Sequence, residues 1–375
     1  MSGTMIQRKK QPTGYSLRRT SGVARWQVAA YLRSRSVSLL AVAVSMAFPI
    51  GAARAGGPIQ VANVASGTAA FAQAGSVTTI TAANNTIINY QKFGIPQGNT
   101  VDFIQPSASA RVLNRIIGPT PTQIDGTLNA NGVVYFVNPA GVMFGAGAVI
   151  NVGQLYAAAG HMSDADFLSG VNSFTDNGGS ITNAGVIKAG DVTFAAGNIS
   201  NNGTILTPEG MVVMAAGKDI YVSKLGSPFL VQVAGTSTVK TGGTQVSNSG
   251  TLDAAGGDVA IRAGDMYSLA INTSGTIKAA NVSIQAAGAG STVLVSGKID
   301  AANQATGSAG GTIAVNGGNI GIGVTADAAG NYHNASAALS AQGAHGGGKI
   351  LIGVKPDAAS ATGYSDASGY DFIGS

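Results

Sequence analysis

Apolar residues recur at alternate positions in short segments of the chain, and glycine or asparagine separates one segment from the next. The side chains of a β-strand alternate between its two faces, so this pattern predicts strands with one face turned inward. Residues 192–196, 211–215 and 282–286 are the clearest examples. No run between them has the length or spacing of a covering helix, and the pattern therefore predicts an all-β chain.

A repeat marks the second half of the chain. A short polar residue or asparagine precedes Gly-x-Ile or Gly-x-Leu five times, with the glycines at Gly185, Gly203, Gly250, Gly275 and Gly297. The intervals are 18, 47, 25 and 22 residues, and we interpret the longest as two units. A period near twenty residues is typical of a solenoid, because one unit cannot bury its own apolar face but stacked units can.

Stacked strands without covering helices predict a parallel β-helix of roughly twelve to fourteen coils. The general preference of parallel crossovers favours a right-handed helix. Asparagine and threonine at the coil corners are expected to form ladders of hydrogen bonds between like residues.

The most regular stretch of the chain is residues 132–152. Two apolar runs, residues 133–137 and 142–144, flank Asn138-Pro139-Ala140-Gly141. This tetrapeptide fits a type I turn, because asparagine at the first position bonds back to the backbone, proline fixes φ and glycine is favoured at the fourth position. The stretch predicts a strand, a turn and a second strand.

Five motifs in order give the chain a resemblance to a known family. They are residues 102–106 (DFIQP), 112–115 (VLNR), 124–128 (IDGTL), 138–142 (NPAGV) and 144–148 (FGAGA). Together they resemble the filamentous-haemagglutinin N-terminal domain, the secretion domain of two-partner-secretion exoproteins. The resemblance implies a right-handed parallel β-helix with an N-terminal cap. It also implies export through an outer-membrane β-barrel transporter whose periplasmic domains bind the secretion domain.

The family pattern at the turn is Asn-Pro-Asn-Gly-Ile, whereas this chain has Ala140 and Val142. The resemblance makes Asn138, Pro139, Ala140, Gly141 and Val142 the candidate secretion motif. We hypothesise that Asn138 and Gly141 act in recognition or initiation of export. A local role in the turn is the alternative, with each substitution costing roughly 1 kcal/mol of stability.

Three further segments are assigned by pattern and resemblance. Residues 56–86 alternate in short strands and are expected to cap the first coil, which would otherwise offer a bare sheet edge. The polar, proline-marked residues 92–105 are expected to leave the regular coil. Residues 161–178 are expected to form a second excursion, either one helical turn or a protruding hairpin.

The first 55 residues have the features of a secretory signal peptide. They contain nine basic residues and no acidic ones, and an apolar run at residues 37–50 precedes Ala53-Arg54-Ala55. Ala53 and Ala55 form a small-x-small cleavage site before Gly56. The run is too short for a comfortable membrane span, so we expect no integral membrane segment in the mature chain. Arg18-Arg19 suggests a twin-arginine signal, but its distance from the apolar run favours general secretion.

The net charge of +5 is misleading, because it depends on this leader. Residues 56–375 have 12 basic and 16 acidic residues, a net charge of −4, which argues against nucleic-acid binding. Cysteine is absent, so disulfides and cysteine-based metal sites are excluded. With 55 glycines and only 10% charged residues, the chain is too rich in glycine for a compact enzyme and too apolar for disorder.

Catalysis is not expected from the distribution of carboxylates. Those of the repeat region are scattered and are interpreted as solvated turn residues: Asp191, Glu209, Asp219, Asp253, Asp258, Asp265 and Asp300. Asp164 and Asp166 lie near His161, but no further ligands follow at a suitable spacing, so neither a metal nor another cofactor is expected. Calcium-binding Gly-Gly-x-Gly-x-Asp repeats and a G-x-S-x-G elbow are also absent.

The sequence therefore predicts three segments: residues 1–55 as signal peptide, residues 56–300 as a two-partner-secretion β-helix domain, and residues 301–375 as continuing coils with a polar tail. The predicted function is that of a secreted or cell-surface exoprotein resembling an adhesin or haemagglutinin. Its expected partners are the transporter and a receptor on a host or neighbouring cell, with no nucleic acid. A β-helical carbohydrate-active enzyme and a purely structural surface protein are the alternatives.

Overall fold

The computed structural model describes residues 57–223, 230–234, 244–264, 268–288, 290–303, 308–327, 330–356, 364–366 and 371–372. The described residues form one compact unit. Among the described residues there is a single helix, of six residues, and all other regular elements are strands. None of the described residues lies in a helix long and apolar enough to cross a membrane.

The elements of the first half begin with a cap and lead into the first coils. They are β1 (Gln60–Ser66), β2 (Ala69–Ala74), β3 (Val77–Ala82), β4 (Thr86–Lys92), β5 (Gly94–Ile95), β6 (Thr100–Ile104), β7 (Arg111–Ile116), β8 (Thr122–Ile124), β9 (Thr127–Ala130), β10 (Val133–Val137), β11 (Val142–Phe144), β12 (Val149–Asn151), β13 (Gln154–Ala158), α1 (Asp164–Ser169), β14 (Asn172–Phe174), β15 (Ser180–Asn183), β16 (Val186–Lys188) and β17 (Asp191–Ala196).

The second half continues the same succession. Its strands are β18 (Asn198–Asn201), β19 (Thr204–Leu206), β20 (Met211–Ala216), β21 (Asp219–Ser223), β22 (Leu230–Ala234), β23 (Val246–Asn248), β24 (Thr251–Ala263), β25 (Leu269–Thr273), β26 (Thr276–Ala286), β27 (Thr292–Val295), β28 (Lys298–Asp300), β29 (Thr312–Asn316), β30 (Asn319–Ile322), β31 (Val324–Ala326), β32 (Tyr332–Asn334), β33 (Ala338–Ser340), β34 (Lys349–Ile352), β35 (Val354–Pro356), β36 (Tyr364–Asp366) and β37 (Asp371–Phe372).

Three parallel sheets wrap around one core, which confirms the predicted β-helix. Face A contains β4, β7, β10, β13, β17, β20, the second halves of β24 and β26, β29 and β34. Face B contains β3, β6, β9, β12, β16, β19, the first halves of β24 and β26, β28 and β33. Face C contains β5, β8, β11, β15, β18, β23, β25, β27, β30 and β37. From β6 onward the chain visits faces B, A and C in turn.

The core consists of aligned columns of aliphatic side chains. On face B, the isoleucine or leucine of each Gly-x-Ile repeat is paired with the next one: Ile187, Ile205, Leu252, Ile277 and Ile299. All five are at most 1% exposed. Similar residues stack at every coil, so the repeat in the sequence arises from this one buried column of side chains.

The glycines of the repeat form a second column, at the corner between faces C and B. A Cβ atom on Gly203 would lie 2.2 Å from the carbonyl oxygen of Gly185, and one on Gly250 would lie 2.1 Å from that of Gly203. Gly275 and Gly297 meet the preceding glycine at 2.0 and 1.9 Å. Backbones therefore pass each other at this corner too closely for any side chain.

The 47-residue interval was wrongly interpreted as two units. Thr204 pairs directly with Thr251, so Gly203 and Gly250 lie on consecutive coils. The extra length includes β21 and β22, which leave the coil after face A. Each face consequently has ten strands among the described residues, fewer than the twelve to fourteen coils predicted.

The expected ladder exists and is buried. The Nδ2 atom of Asn183 donates to Oδ1 of Asn201, Asn201 donates to Asn248, and Asn248 donates to Oγ1 of Thr273, at 2.8, 2.8 and 3.2 Å. All four side chains are at most 1% exposed. The side chains thus satisfy one another's hydrogen-bonding groups inside the core. They lie at the ends of successive strands of face C.

The cap predicted for residues 56–86 is formed by β1 and β2, whereas β3 in the same range already belongs to face B. Strands β1 and β2 run antiparallel to β4 and β3, the first strands of faces A and B. The expectation that residues 92–105 leave the coil was wrong, because β5 and β6 pair within faces C and B. Phe93 and Ile95 are 1% exposed and hold this segment on the core, while Pro96 starts a tight turn.

Residues 161–178 leave the coil, and the helical alternative is confirmed by α1. Ser163 caps the helix by accepting a hydrogen bond from the Asp166 backbone N–H, and Gly170 ends it in the left-handed conformation. Strand β14 then pairs with β21, which pairs with β22, in a small antiparallel sheet. We call α1 with these three strands the lateral layer. It covers part of the outer side of face A.

Candidate functional site

The tetrapeptide Asn138-Pro139-Ala140-Gly141 forms the predicted turn, at the corner between β10 on face A and β11 on face C. The Gly141 backbone N–H donates to the Asn138 carbonyl at 2.9 Å, which closes the four-residue turn. The Ala140 backbone N–H donates to Oδ1 of Asn138 at 3.0 Å. Asparagine therefore bonds back to the backbone two residues on, as the sequence indicated.

Asn138 also ties this corner to the preceding coil. Its Nδ2 atom donates to the Thr120 carbonyl and to Oγ1 of Thr122, both at 3.0 Å. The Asn138 side chain is fully buried, and its backbone N–H donates to the Ala158 carbonyl of the next coil. One residue thus links three consecutive coils.

Gly141 is required for two reasons. Its φ of +113° lies where residues with a side chain are strained, and an added Cβ atom would lie 2.8 Å from the Ser180 carbonyl oxygen. Ser180 is the first residue of β15, the strand that follows the excursion of residues 161–178. Gly141 therefore permits the excursion to return to the coil directly above the turn.

The folded turn offers little of the motif to a partner. Asn138, Gly141 and Val142 are buried, whereas Pro139 and Ala140 are partly accessible. Val142 pairs between Thr122 and Ile181 on face C. The family asparagine that Ala140 replaces would therefore stand at the more accessible part of the turn. The recognition role of the motif stays a prediction.

Two arginines of β7 hold the lateral layer against face A near this corner. Arg115 forms an ion pair with Asp164 at 2.5 Å and donates to the Met162 carbonyl at 2.9 Å. The Arg111 guanidinium lies over the Phe167 ring, 5.3 Å from its centroid. Sequence reasoning missed this contact, although Arg115 belongs to the VLNR motif, because arginine and aspartate are 49 residues apart.

Aromatic side chains of face A fill the space under the lateral layer. The rings of Tyr135 and Tyr156 stack at 4.5 Å, and Tyr135 also meets the edge of Phe167. Burial, with a contribution from Asp191, raises the pKa of Tyr156 to about 12. Burial also raises the pKa of Tyr135 above its ordinary range.

The scattered carboxylates mostly have local structural partners. Asp253 and Asp300 accept backbone N–H groups two residues on, and Asp258 accepts from Asn281. Asp191 is an exception to the interpretation as solvated turn residues, because it is 3% exposed and accepts the Met211 backbone N–H. The neighbouring glycine, which suggested a solvated turn, gave no sign of this burial.

The acidic residues near His161 are likewise engaged. Asp164 pairs with Arg115, and Asp166 accepts from Ser163 at the helix cap. Within the described ranges, no three His, Asp or Glu side chains form a group that could hold a metal ion. Ala53, Ala55 and Gly56 of the proposed cleavage site, and Asp265, lie outside the described residues.

A family model identifies the kind of domain. Residues 61–300 match the family model of the TPS secretion domain. Two heme/hemopexin-binding proteins of Haemophilus influenzae are 32% identical over 193 residues and 47% identical over 70 residues. These alignments cover 48% and 19% of this chain but 20% and 8% of the relatives. The chain therefore spans a fifth or less of the length of these curated relatives.

Two solved structures are similar. The HMW1 secretion domain from Haemophilus influenzae matches with a TM-score of 0.68 at 23% identity, covering 83% of this chain and 81% of that one. The filamentous hemagglutinin secretion domain matches with a TM-score of 0.44 at 13% identity, covering 85% of this chain and all of that one. The first of these likenesses supports the fold.

Proposed function

The chain belongs to the TPS secretion-domain family, and from this premise we propose that its β-helix delivers an exoprotein to a dedicated outer-membrane transporter. The family match over residues 61–300 carries the proposal. That range runs from the capping strand β1 to β28, so it covers the described coils up to that strand without omitting a face. Two-partner-secretion exoproteins are secreted or cell-surface proteins, and a transporter partner follows from the membership.

We further propose that periplasmic domains of the transporter bind the chain before the coils around Asn138 have formed. In the folded chain the Asn138 amide is buried, and its donors are bound to Thr120 and Thr122 of the preceding coil. A partner that reads this amide directly must therefore meet it unfolded. Stacking of the coils outside the cell would then oppose backward movement of the chain.

The test is export of the full chain in a Gram-negative host with and without its cognate transporter. We expect the protein in the medium or on the cell surface only when the transporter is present, and in the periplasm otherwise. Equal export in both strains would overturn the proposal.

A matched pair of variants separates recognition from folding. Asn183, like Asn138, is fully buried, accepts a backbone N–H two residues on and donates its amide to an adjacent coil. Asn138→Ala and Asn183→Ala should therefore destabilise the folded chain to a similar degree. Loss of export confined to Asn138→Ala supports recognition at the turn, whereas equal export of the two variants contradicts it.

For the exported protein we propose a non-catalytic role in adhesion or aggregation. It is supported by the structural use of the described carboxylates, which cap turns, accept backbone N–H groups and pair with arginine. Binding of the purified chain to host or neighbouring cells, compared with release of reducing sugars from their polysaccharides, tests this against the enzyme alternative. Heme and hemopexin belong in the same binding assay, because the relatives are named heme/hemopexin-binding proteins.

A further inference from the structure

A groove lies between β22, the last described strand of the lateral layer, and the outer side of face A at β24 and β26. Its volume is about 480 Å³, within the range of small-ligand sites. Val231, Gln232 and Val233 of β22 form one wall, and Arg262, Ala263 and Gln285 of face A lie opposite. Val231 and Val233 pack towards face A, so the groove combines an apolar wall with the amide of Gln285 and the guanidinium of Arg262.

Arg262 is held in a fixed orientation by the adjacent strand. Its Nη1 atom donates to the Ser283 carbonyl at 2.7 Å and to the Ile261 carbonyl at 3.2 Å, and Nη2 donates to Oγ of Ser283 at 2.9 Å. A guanidinium has five N–H donors, so Nε–H and one N–H of Nη2 are left over. These two point the same way and form a fork that matches the two oxygens of a carboxylate.

The charge of Arg262 has no counter-ion among the described carboxylates. Its hydrogen bonds go to neutral oxygens, and burial lowers the pKa of the guanidinium to about 10. A partly buried cation is stabilised when an anion supplies the missing charge and accepts the remaining donors.

We propose that this groove binds a free carboxylate carried on an amide-containing body with small apolar groups, which is the chemistry of a peptide C-terminus. The carboxylate occupies the free fork of Arg262. The amide of Gln285 bonds the peptide group, and an aliphatic side chain packs on Val231 and Val233. This site is independent of the export function and of the turn at Asn138.

The experiment titrates the purified, folded full chain with acetyl-Ala-Ala-Val, using calorimetry or ligand-observed NMR. We expect saturable binding of the free acid and at least about tenfold weaker binding of the same peptide with an amidated C-terminus. Butyrate, a small acid without amides, should bind at least about tenfold more weakly than the peptide. Equal affinity of butyrate and the peptide overturns the assignment to a peptide terminus.

Variants locate the site. Arg262→Gln removes the charge and should abolish saturation, and Arg262→Lys keeps the charge but lacks the fork and should also weaken binding. Lys278→Gln removes one exposed charge on face B and should bind as the parent does. An unchanged affinity of Arg262→Gln, or no saturation by the parent, overturns the proposal.

Asp265 follows closely in sequence and lies outside the described residues. Unchanged binding by Asp265→Asn supports a fork that is open to ligand. Binding that appears only in Asp265→Asn would show that the chain fills its own fork, and would overturn the proposal.

Discussion

At the scale of single residues, the sequence predicted the turn at Asn138 but not its surroundings. Position preferences identify asparagine, proline and glycine in a turn because those effects are local. The contacts of Asn138 with Thr120 and Thr122 depend on stacking of a different coil, which no local pattern contains. We therefore expect a larger loss of stability than the roughly 1 kcal/mol of local turn effects alone.

We predict that Asn138→Ala lowers the free energy of unfolding by about 2–4 kcal/mol, because it leaves buried hydrogen-bonding groups of two coils without partners. Urea denaturation of the purified variant measures this. Ala140→Asn, which restores the family residue at a partly accessible position, should stay within about 0.5 kcal/mol of the parent. A loss below about 1 kcal/mol for Asn138→Ala would show that the corner relaxes without this amide.

At the scale of elements, the ladder of Asn183, Asn201, Asn248 and Thr273 shows what the repeat could and could not reveal. Asparagine before glycine was visible in the sequence and suggested stacked amides. Where the ladder stops was not visible. Val295 pairs above Thr273, and Phe144 pairs below Asn183, so apolar residues end the polar column on both sides.

We predict that Asn201→Val alone costs more stability than one third of the loss caused by replacing Asn183, Asn201 and Asn248 together. The single variant leaves the donor of Asn183 and the acceptor of Asn248 buried and unpaired, at a cost of about 2–4 kcal/mol. Changing Asn183, Asn201 and Asn248 together to valine, the residue at position 295, removes those orphaned groups. The triple variant should therefore lose less than three times the single loss in urea denaturation, and strict additivity would contradict this account.

The lateral layer gives a pH dependence that can be tested. The pKa of Tyr156 is raised to about 12 in the folded chain, against an ordinary value of about 10 when unfolded. Between these two pKa values, the unfolded chain therefore binds fewer protons than the folded chain. The contribution of Tyr156 to the free energy of unfolding is complete below pH 10 and is lost as the pH approaches 12.

Phe167→Ala tests this dependence, because it removes the buried ring over Tyr135 and loosens the layer. Spectrophotometric titration should show part of the tyrosine ionisation shifting towards pH 10 in this variant, with the folded state monitored by circular dichroism. Leu168→Ala, on the exposed side of α1, is the matched control and should titrate as the parent does.

At the scale of the whole molecule, the sequence predicted the architecture correctly but not the number of coils. Alternation and the Gly-x-Ile spacing indicated a parallel β-helix, since both record contacts repeated at each coil. The count failed because β21 and β22 lengthen one interval without adding a coil. The prediction that residues 92–105 leave the coil was wrong for a similar reason. Polar residues and proline mark the turns of this segment but do not reveal that Phe93 is buried.

We predict that export removes residues 1–55, which hold the only tryptophan, Trp26. The exported protein should show tyrosine emission alone and an intact mass that begins at Gly56. Asn138→Ala recovered from the periplasm should begin at the same residue, because cleavage precedes the outer-membrane step. Tryptophan emission from the exported chain would contradict the assignment.

The glycine column at the corner between faces C and B has a consequence for engineering. Gly203 and Gly250 contact each other although they are 47 positions apart in the sequence, so the fold accepts tens of added residues at the corner after face A. Each doubling of such a loop costs only about 0.6 kcal/mol in closure entropy. At the column itself, a single methyl group would overlap the neighbouring backbone. The fold should therefore tolerate a foreign epitope inserted between β20 and β23 better than the single added methyl group of Gly250→Ala.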